Sequence, residues 1–274
     1  MQGTIFQVLV LVTHGNAVLS GGTGVAIYPQ HSAFKFDEFV KFVDIEQAGS
    51  DWVEKPFAAN PTDWLAKLKS QKCSGLRVER VSTDKKDLSD RMSVAFVGGG
   101  GRWLIEAICP GGSDFWEAGW KVGNKSHPQQ KIWQVTYGRI AKHRPTAAAR
   151  TADLEGLTSS LRQTLQQALG FAQKHELAGF AEAFEAGASE LASNSEPELR
   201  GLALPGQLPL AASRLLAASQ SAWVFGGMGS WNDLGFDGED QRQYEVISDA
   251  LFRTINASLV ASANLSFTGT ERPW

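Results

Sequence analysis

Cysteine is scarce: Cys73 and Cys109 are the only two in 274 residues, and no CxxC spacing joins them. Two isolated thiols exclude a disulfide scaffold. They read as small buried hydrophobes in a reducing compartment, where exposed thiols escape oxidation. No apolar run approaches the roughly 18 residues that a membrane span requires, so no membrane partner is expected. A formal net charge of −3 gives no global attraction to nucleic acid. The five histidines, His14, His31, His127, His143 and His175, are scattered without an HExxH, an HxH or a Cys/His cluster. Neither a zinc site nor any other cofactor is expected from them. A GxSxG nucleophile elbow is missing. The two SxxK matches, Ser32–Lys35 and Ser82–Lys85, lack the companion motifs of that enzyme class. Enzymatic chemistry therefore has no motif behind it, and the motifs present identify no characterised family.

What is present resembles ordinary globular composition, with 43% hydrophobic and 20% charged residues. The length suits about two domains. Charge divides the chain. Residues 1–144 hold 12 Lys and 6 Arg against 8 Asp and 6 Glu, a net of +4. Residues 145–274 hold 1 Lys and 7 Arg against 5 Asp and 10 Glu, a net of −7. Six of the nine tryptophans also fall in the first part. Such a shift marks a boundary, and Arg144-Pro145-Thr146 reads as the join between domains 1–144 and 145–274.

The first part reads as an antiparallel β-sheet domain with one short helix. Thr4–Val12 is a continuous apolar run rich in β-branched residues, suited to a central strand. It has neither the basic flank nor the small-residue cleavage site of a signal peptide, which again points to the cytoplasm. Gly24–Tyr28, Glu38–Glu46 and Leu76–Val81 are further strand candidates. Asn60-Pro61-Thr62-Asp63 announces the helix: a capping side chain, a proline whose missing N–H is not needed at the first position, and an acid for the dipole. Two hairpins follow. Met92–Val97 and Arg102–Ile108 flank Gly98–Gly101; Phe115–Val122 and Lys131–Ile140 flank a polar loop. Trp116 and Trp120 share one strand face, opposite Trp133, Val135 and Tyr137.

The second part reads as a bundle of about four helices. Leu154, Leu157, Leu161, Leu165, Ala168 and Ala172 recur at spacings of three and four, as do Leu177, Phe180, Phe184, Ala188 and Leu191. A break near Lys174-His175 makes the pair an αα-hairpin. A loop at Ser193–Gly206, a third helix from Pro209 through Phe225 and a fourth from about Asp240 to Ala263 complete the set. The fold class is α+β.

The most distinctive stretch runs from Trp223 to Asp240. Its glycines, Gly227 and Gly229 among them, allow unusual backbone angles and close approach. Trp231 could offer an apolar platform, Asn232 and Asp233 polar contacts, and Asp237 and Asp240 oxygen ligands for a divalent cation. The competing expectation is a plain helix–helix connection with Trp231 packed beneath it. His14, expected at a strand end, is the histidine best placed for chemistry. The basic residues of the first part, such as Arg77, Arg80, Lys121 and Lys125, are interleaved with acids and argue for a solvated face rather than a nucleic-acid site. The function expected first is a cytoplasmic protein-binding module, immunity-like, that neutralises a toxin or effector. The alternatives are an enzyme or small-molecule binder using the Gly226–Asp240 loop, and a structural, oligomer-forming protein.

Overall fold

A computed structural model describes residues 1–22, 25, 27–83, 89–147 and 152–269. The chain divides into two compact units. A sheet unit comprises Gly3–Val81, Arg102–Arg150 and Ser266–Trp274, and a helical unit comprises Met1–Gln2, Ser82–Gly101 and Thr151–Leu265. The α+β class holds, and no described helix is long and apolar enough to cross a membrane.

The sheet unit opens with a correction. Thr4–Val12 lies within a helix, α1 (Gly3–Leu19), whose residues from Gln7 to Asn16 are all buried. A helix enclosed on every side shows no amphipathic period, so its sequence reads like a buried strand. The six strands are β1 (Asp37–Ala48), β2 (Asp51–Ala58), β3 (Gly75–Val81), β4 (Arg102–Cys109), β5 (Gly112–Val122) and β6 (Trp133–Arg144). Their spatial order is β2-β1-β6-β5-β4-β3. The sheet is mixed, a second correction: four pairings are antiparallel, but β1 and β6 run parallel, with Phe42 opposite Tyr137. Helix α2 (Pro61–Ser70) starts where the capping signal placed it, with Asn60 accepting from the Asp63 N–H at 2.9 Å.

Aromatic rings fill the space between α2 and the sheet. Phe42 stacks on Trp64 at 4.5 Å and on Tyr137 at 5.0 Å, and Trp116 meets both Phe42 and Phe57 edge-on. The guanidinium of Arg139 lies over Phe57 and Trp116 and bridges Asp44 and Asp114. Trp120 and Trp133 make the expected cross-strand pair at 5.8 Å. Helix α1 can approach β3 closely because residue 15 is glycine; a Cβ there would stand 2.5 Å from Leu76. The Asn16 amide then donates to the Leu76 carbonyl at 2.9 Å and accepts from the Leu76 N–H at 2.7 Å. It thus covers an edge strand that would otherwise offer free backbone groups.

Cys73 and Cys109 form a disulfide, which corrects the expectation of two separate thiols. The β3–β4 register sets Gly75 opposite Ile108, so the residues just before β3 and at the end of β4 meet. Of the strand candidate Gly24–Tyr28, Gly24 and Ala26 lie outside the described residues, and Ile27 and Tyr28 are not in a strand.

In the helical unit the stretch expected to pair as Met92–Val97 is instead a one-turn helix, α3 (Asp90–Ser93), followed by a turn. Ser89 caps it, and the glycines curl the chain back so tightly that a Cβ on Gly99 would stand 1.8 Å from the Ser93 carbonyl oxygen. Among the described residues the expected hairpin with β4 is therefore absent, and the region before 144 holds three α-helices rather than one. Helices α4 (Leu154–Lys174), α5 (Ala178–Ala192) and α7 (Gly238–Asn264) follow the periodic pattern, whereas α6 (Leu210–Ser221) stops short of the expected Phe225. Leu161, Leu165, Phe184, Leu215, Leu251 and Ile255 are fully buried between them.

Candidate functional site

The Trp223–Asp240 connection joins α6 to α7, and the structure separates its residues by role. Trp231 is 0% exposed. Its ring is ringed by Phe180 and Phe184 at 5.1 Å and Tyr244 at 5.6 Å, and its indole N–H donates to Ser248 Oγ at 2.7 Å. It belongs to the core of the unit rather than to a surface platform. The Asn232 amide donates to the Arg91 carbonyl at 2.8 Å and accepts from the Arg91 guanidinium, which also pairs with Asp249 and Glu245. Those bonds tie α3 to α7. Asp233 closes a reciprocal cap with Ser230, and Asp237 is the residue before α7. Asp240 pairs with Lys174, a hydrogen bond that holds its carboxyl below the usual range, and lies 3.6 Å from His175. The acids thus turn to separate partners, and among the described residues no group of three His, Cys, Asp or Glu side chains is placed to hold a metal ion.

Gly227 and Gly229 do something different. They carry Met228, which is fully exposed, out over open space, with Gly229 at φ +80°. Beside this tip lies a cleft of about 590 Å³ lined by Met1, Leu177–Phe180, Trp223–Phe225, Gly229 and Ser230. One wall is the start of α5, the other the end of α6 and the loop. The first turn of α5 has no side-chain cap among the described residues, and the Phe180 N–H donates instead to the Leu177 carbonyl at 3.1 Å. Burial lowers the pKa of the Met1 amino group and weakens its charge. Next to Met1, the Gln2 amide donates to the Phe96 carbonyl at 3.1 Å. The turn after α3 therefore begins within a residue's reach of the cleft, and it exposes Phe96 at 66% and Val97 at 60%. All three methionines of the chain, Met1, Met92 and Met228, are in this unit, and Met92 and Met228 are exposed. Such side chains adapt to varied apolar partners.

Sequence reasoning pointed to the loop but passed over the cleft walls. Phe180 looked like a core residue by spacing, and Val224 and Phe225 read as the end of the third helix and the start of the distinctive stretch. The signal available was the break after Lys174 followed by a helix start, Leu177-Ala178-Gly179, that contains no capping residue.

The sheet unit holds a second cluster, which the sequence did not announce. Asp37 is buried and accepts from the Gln7 amide at 2.6 Å; Tyr137 donates to the other end of that amide at 3.3 Å. Burial pushes the Asp37 carboxyl up to about 7. His14, two turns along α1 from Gln7, is not at a strand end as expected. It sits buried with Thr13 Oγ1 3.1 Å from its Nδ1 and the His31 ring 5.0 Å away. Burial first, and then the neighbouring His31, pull its pKa down to about 4. These groups can store a pH dependence, but they are packed among side chains rather than arranged around a cleft. No family model, no curated protein and no solved structure matches the chain.

Proposed function

We propose that the chain is a protein-binding module that engages its partner through the helical unit. The supporting observation is the cleft beside the protruding Met228. Phe180, Trp223 and Phe225 line it, and methionine and aromatic side chains are favoured at surfaces that bind other proteins. Partner neutralisation of the immunity type is one use of such a surface. The bonded pair Cys73–Cys109 favours an oxidising compartment over the reducing one expected from free thiols.

The decisive experiment places a photo-crosslinking side chain at position 228 and, as control, at Gly170, an exposed α4 position with open space around it. A partner seated on the cleft is crosslinked from 228 and not from 170. Equal labelling from both positions, or none from 228, overturns the reading. A second reading has its own support, because a volume of about 590 Å³ also suits a small apolar molecule. That alternative predicts a ligand-dependent rise in thermal stability with no crosslinked protein.

A further inference from the structure

The two edges of the sheet differ. At β3 the outer edge is bonded at Leu76 by the Asn16 side chain. At β2, the other edge, six consecutive residues from Asp51 to Pro56 are exposed, Trp52 at 70%. The turn before β2 sets which way its backbone groups point. Gly49-Ser50 is a two-residue turn, with Gly49 at φ +66°, and it closes on the pair Ala48–Asp51. A closing pair of that kind exchanges both of its backbone bonds, and the exchange recurs at every second residue. Asp51, Val53 and Lys55 therefore turn their N–H and C=O groups to β1, opposite Ala48, Glu46 and Asp44. Trp52 and Glu54 turn theirs outward. Pro56 comes next in the outward series, and it is the one residue of β2 with no N–H to expose.

Such an edge is a template for another strand, and its charges favour a particular one. An antiparallel copy of β2 centred on Val53 sets Trp52 of each chain opposite Glu54 of the other, so both outward residues exchange their backbone bonds. The same register puts Asp51 opposite Lys55 of the second copy at both ends, in the pairs whose side chains stand closest. Centring on Glu54 instead sets that carboxylate against its own copy. Lys55 also holds Glu46 at 2.6 Å within its chain, and an ammonium has donors for both acids. Lysine and proline often blunt an edge. Here the lysine has an acid to meet, and Pro56 falls beyond the paired stretch.

We propose that β2 pairs antiparallel with β2 of a second copy of this chain, with Val53 on the two-fold axis and Asp51 ion-paired to Lys55 across it. The surface belongs to the sheet unit and does not depend on the reading of the cleft. So short a strand makes a weak dimer that forms as concentration rises.

Analytical sedimentation of the full chain over a concentration series, joined to amide hydrogen exchange, tests it. A monomer–dimer equilibrium is expected. As the dimer forms, the Trp52 and Glu54 amides should exchange more slowly, while those of Val53 and Lys55, already bonded to β1, stay as they are. Asp51→Lys alone and Lys55→Glu alone each set like charges across the axis and should weaken dimerisation by about tenfold. Mixed together, the two variants regain opposite charges at both contacts, and the mixed dimer should approach wild-type affinity. A chain that stays monomeric throughout the series overturns the proposal. So does a dimer that leaves the Trp52 and Glu54 amides unchanged, or one whose charge variants are not rescued by mixing.

Discussion

Asp37 and His14 should hide each other's pH dependence. The Asp37 carboxyl rises from 3.8 to about 7 because it is buried with only an amide donor. A group raised in the folded state costs nothing below its unfolded pKa and its full penalty above the folded one. Asp37 therefore lowers stability progressively between pH 3.8 and about 7, by about 4 kcal/mol in all. His14 falls from 6.5 to about 4, so its neutral form is favoured. Its contribution is complete above pH 6.5 and is lost as pH drops to about 4, some 3 kcal/mol in total. Across the shared window, each changes stability by about 1.4 kcal/mol per pH unit with opposite sign. Urea midpoints of the wild-type chain should consequently vary little from these two groups. Asp37→Asn keeps an oxygen for the Gln7 amide and removes one slope, so the variant should gain up to about 4 kcal/mol at pH 7.5 and weaken steeply on acidification. His14→Gln should do the reverse and weaken as pH rises. An Asp37→Asn protein that is less stable than wild type at pH 7.5, or whose profile stays flat, would refute the reasoning.

Other expectations follow from single contacts. Opening the Cys73–Cys109 bond by Cys73→Ser with Cys109→Ser frees a 36-residue separation in the unfolded chain and should cost about 4 kcal/mol, read as a lower denaturation midpoint insensitive to reductant. Trp231→Ala should cost about 3–5 kcal/mol, since it empties the centre of the helical core; a stability change near zero would return Trp231 to the role of surface platform. Arg91→Ala should cost only about 1–2 kcal/mol, because Glu245 and Asp249 are half-exposed and water can serve them. Its clearer signature is faster hydrogen exchange across Ser89–Gly101, the segment that Arg91 ties to α7.

Elements whose faces differ were legible, and elements without a contrasting face were not. Helix α2 is written in four consecutive residues, Asn60 to Asp63, each with a separate physical reason to start a helix there. Helices α4, α5 and α7 show their buried stripe at 3.6-residue spacing because their other side meets water. Helix α1 has no wet side, so Thr4–Val12 carried no period, and its β-branched content suggested a strand. Length was the cue against that: the helix continues to Leu19, three times the usual strand. The parallel pairing of β1 with β6 joins Asp37 to Trp133 across almost a hundred residues, and turn chemistry speaks only for neighbouring strands. The disulfide was hidden for the same reason, since it depends on the β3–β4 register rather than on spacing.

The glycine loop shows why a binding stretch and a packing stretch can look alike. Trp231 and Met228 are three residues apart, both large and apolar, yet one is a fully enclosed ring and the other is fully exposed. What separates them is the Ser230–Asp233 cap, which turns the chain inward just after Gly229. Ser230→Ala removes the hydroxyl that accepts from the Asp233 N–H and donates to the Gly226 carbonyl, a loss of about 1 kcal/mol. Because Trp231 is held separately by Ser248 and four rings, the loss should appear in the loop and not in the core. Hydrogen exchange should therefore quicken from Gly226 to Ser230, while Trp231 fluorescence and the global midpoint barely move. Crosslinking of a partner from position 228 should also weaken in that variant, since a loosened loop must first be ordered around the partner. Unchanged crosslinking would mean that the walls at Leu177–Phe180 alone hold the partner and that Met228 is a bystander.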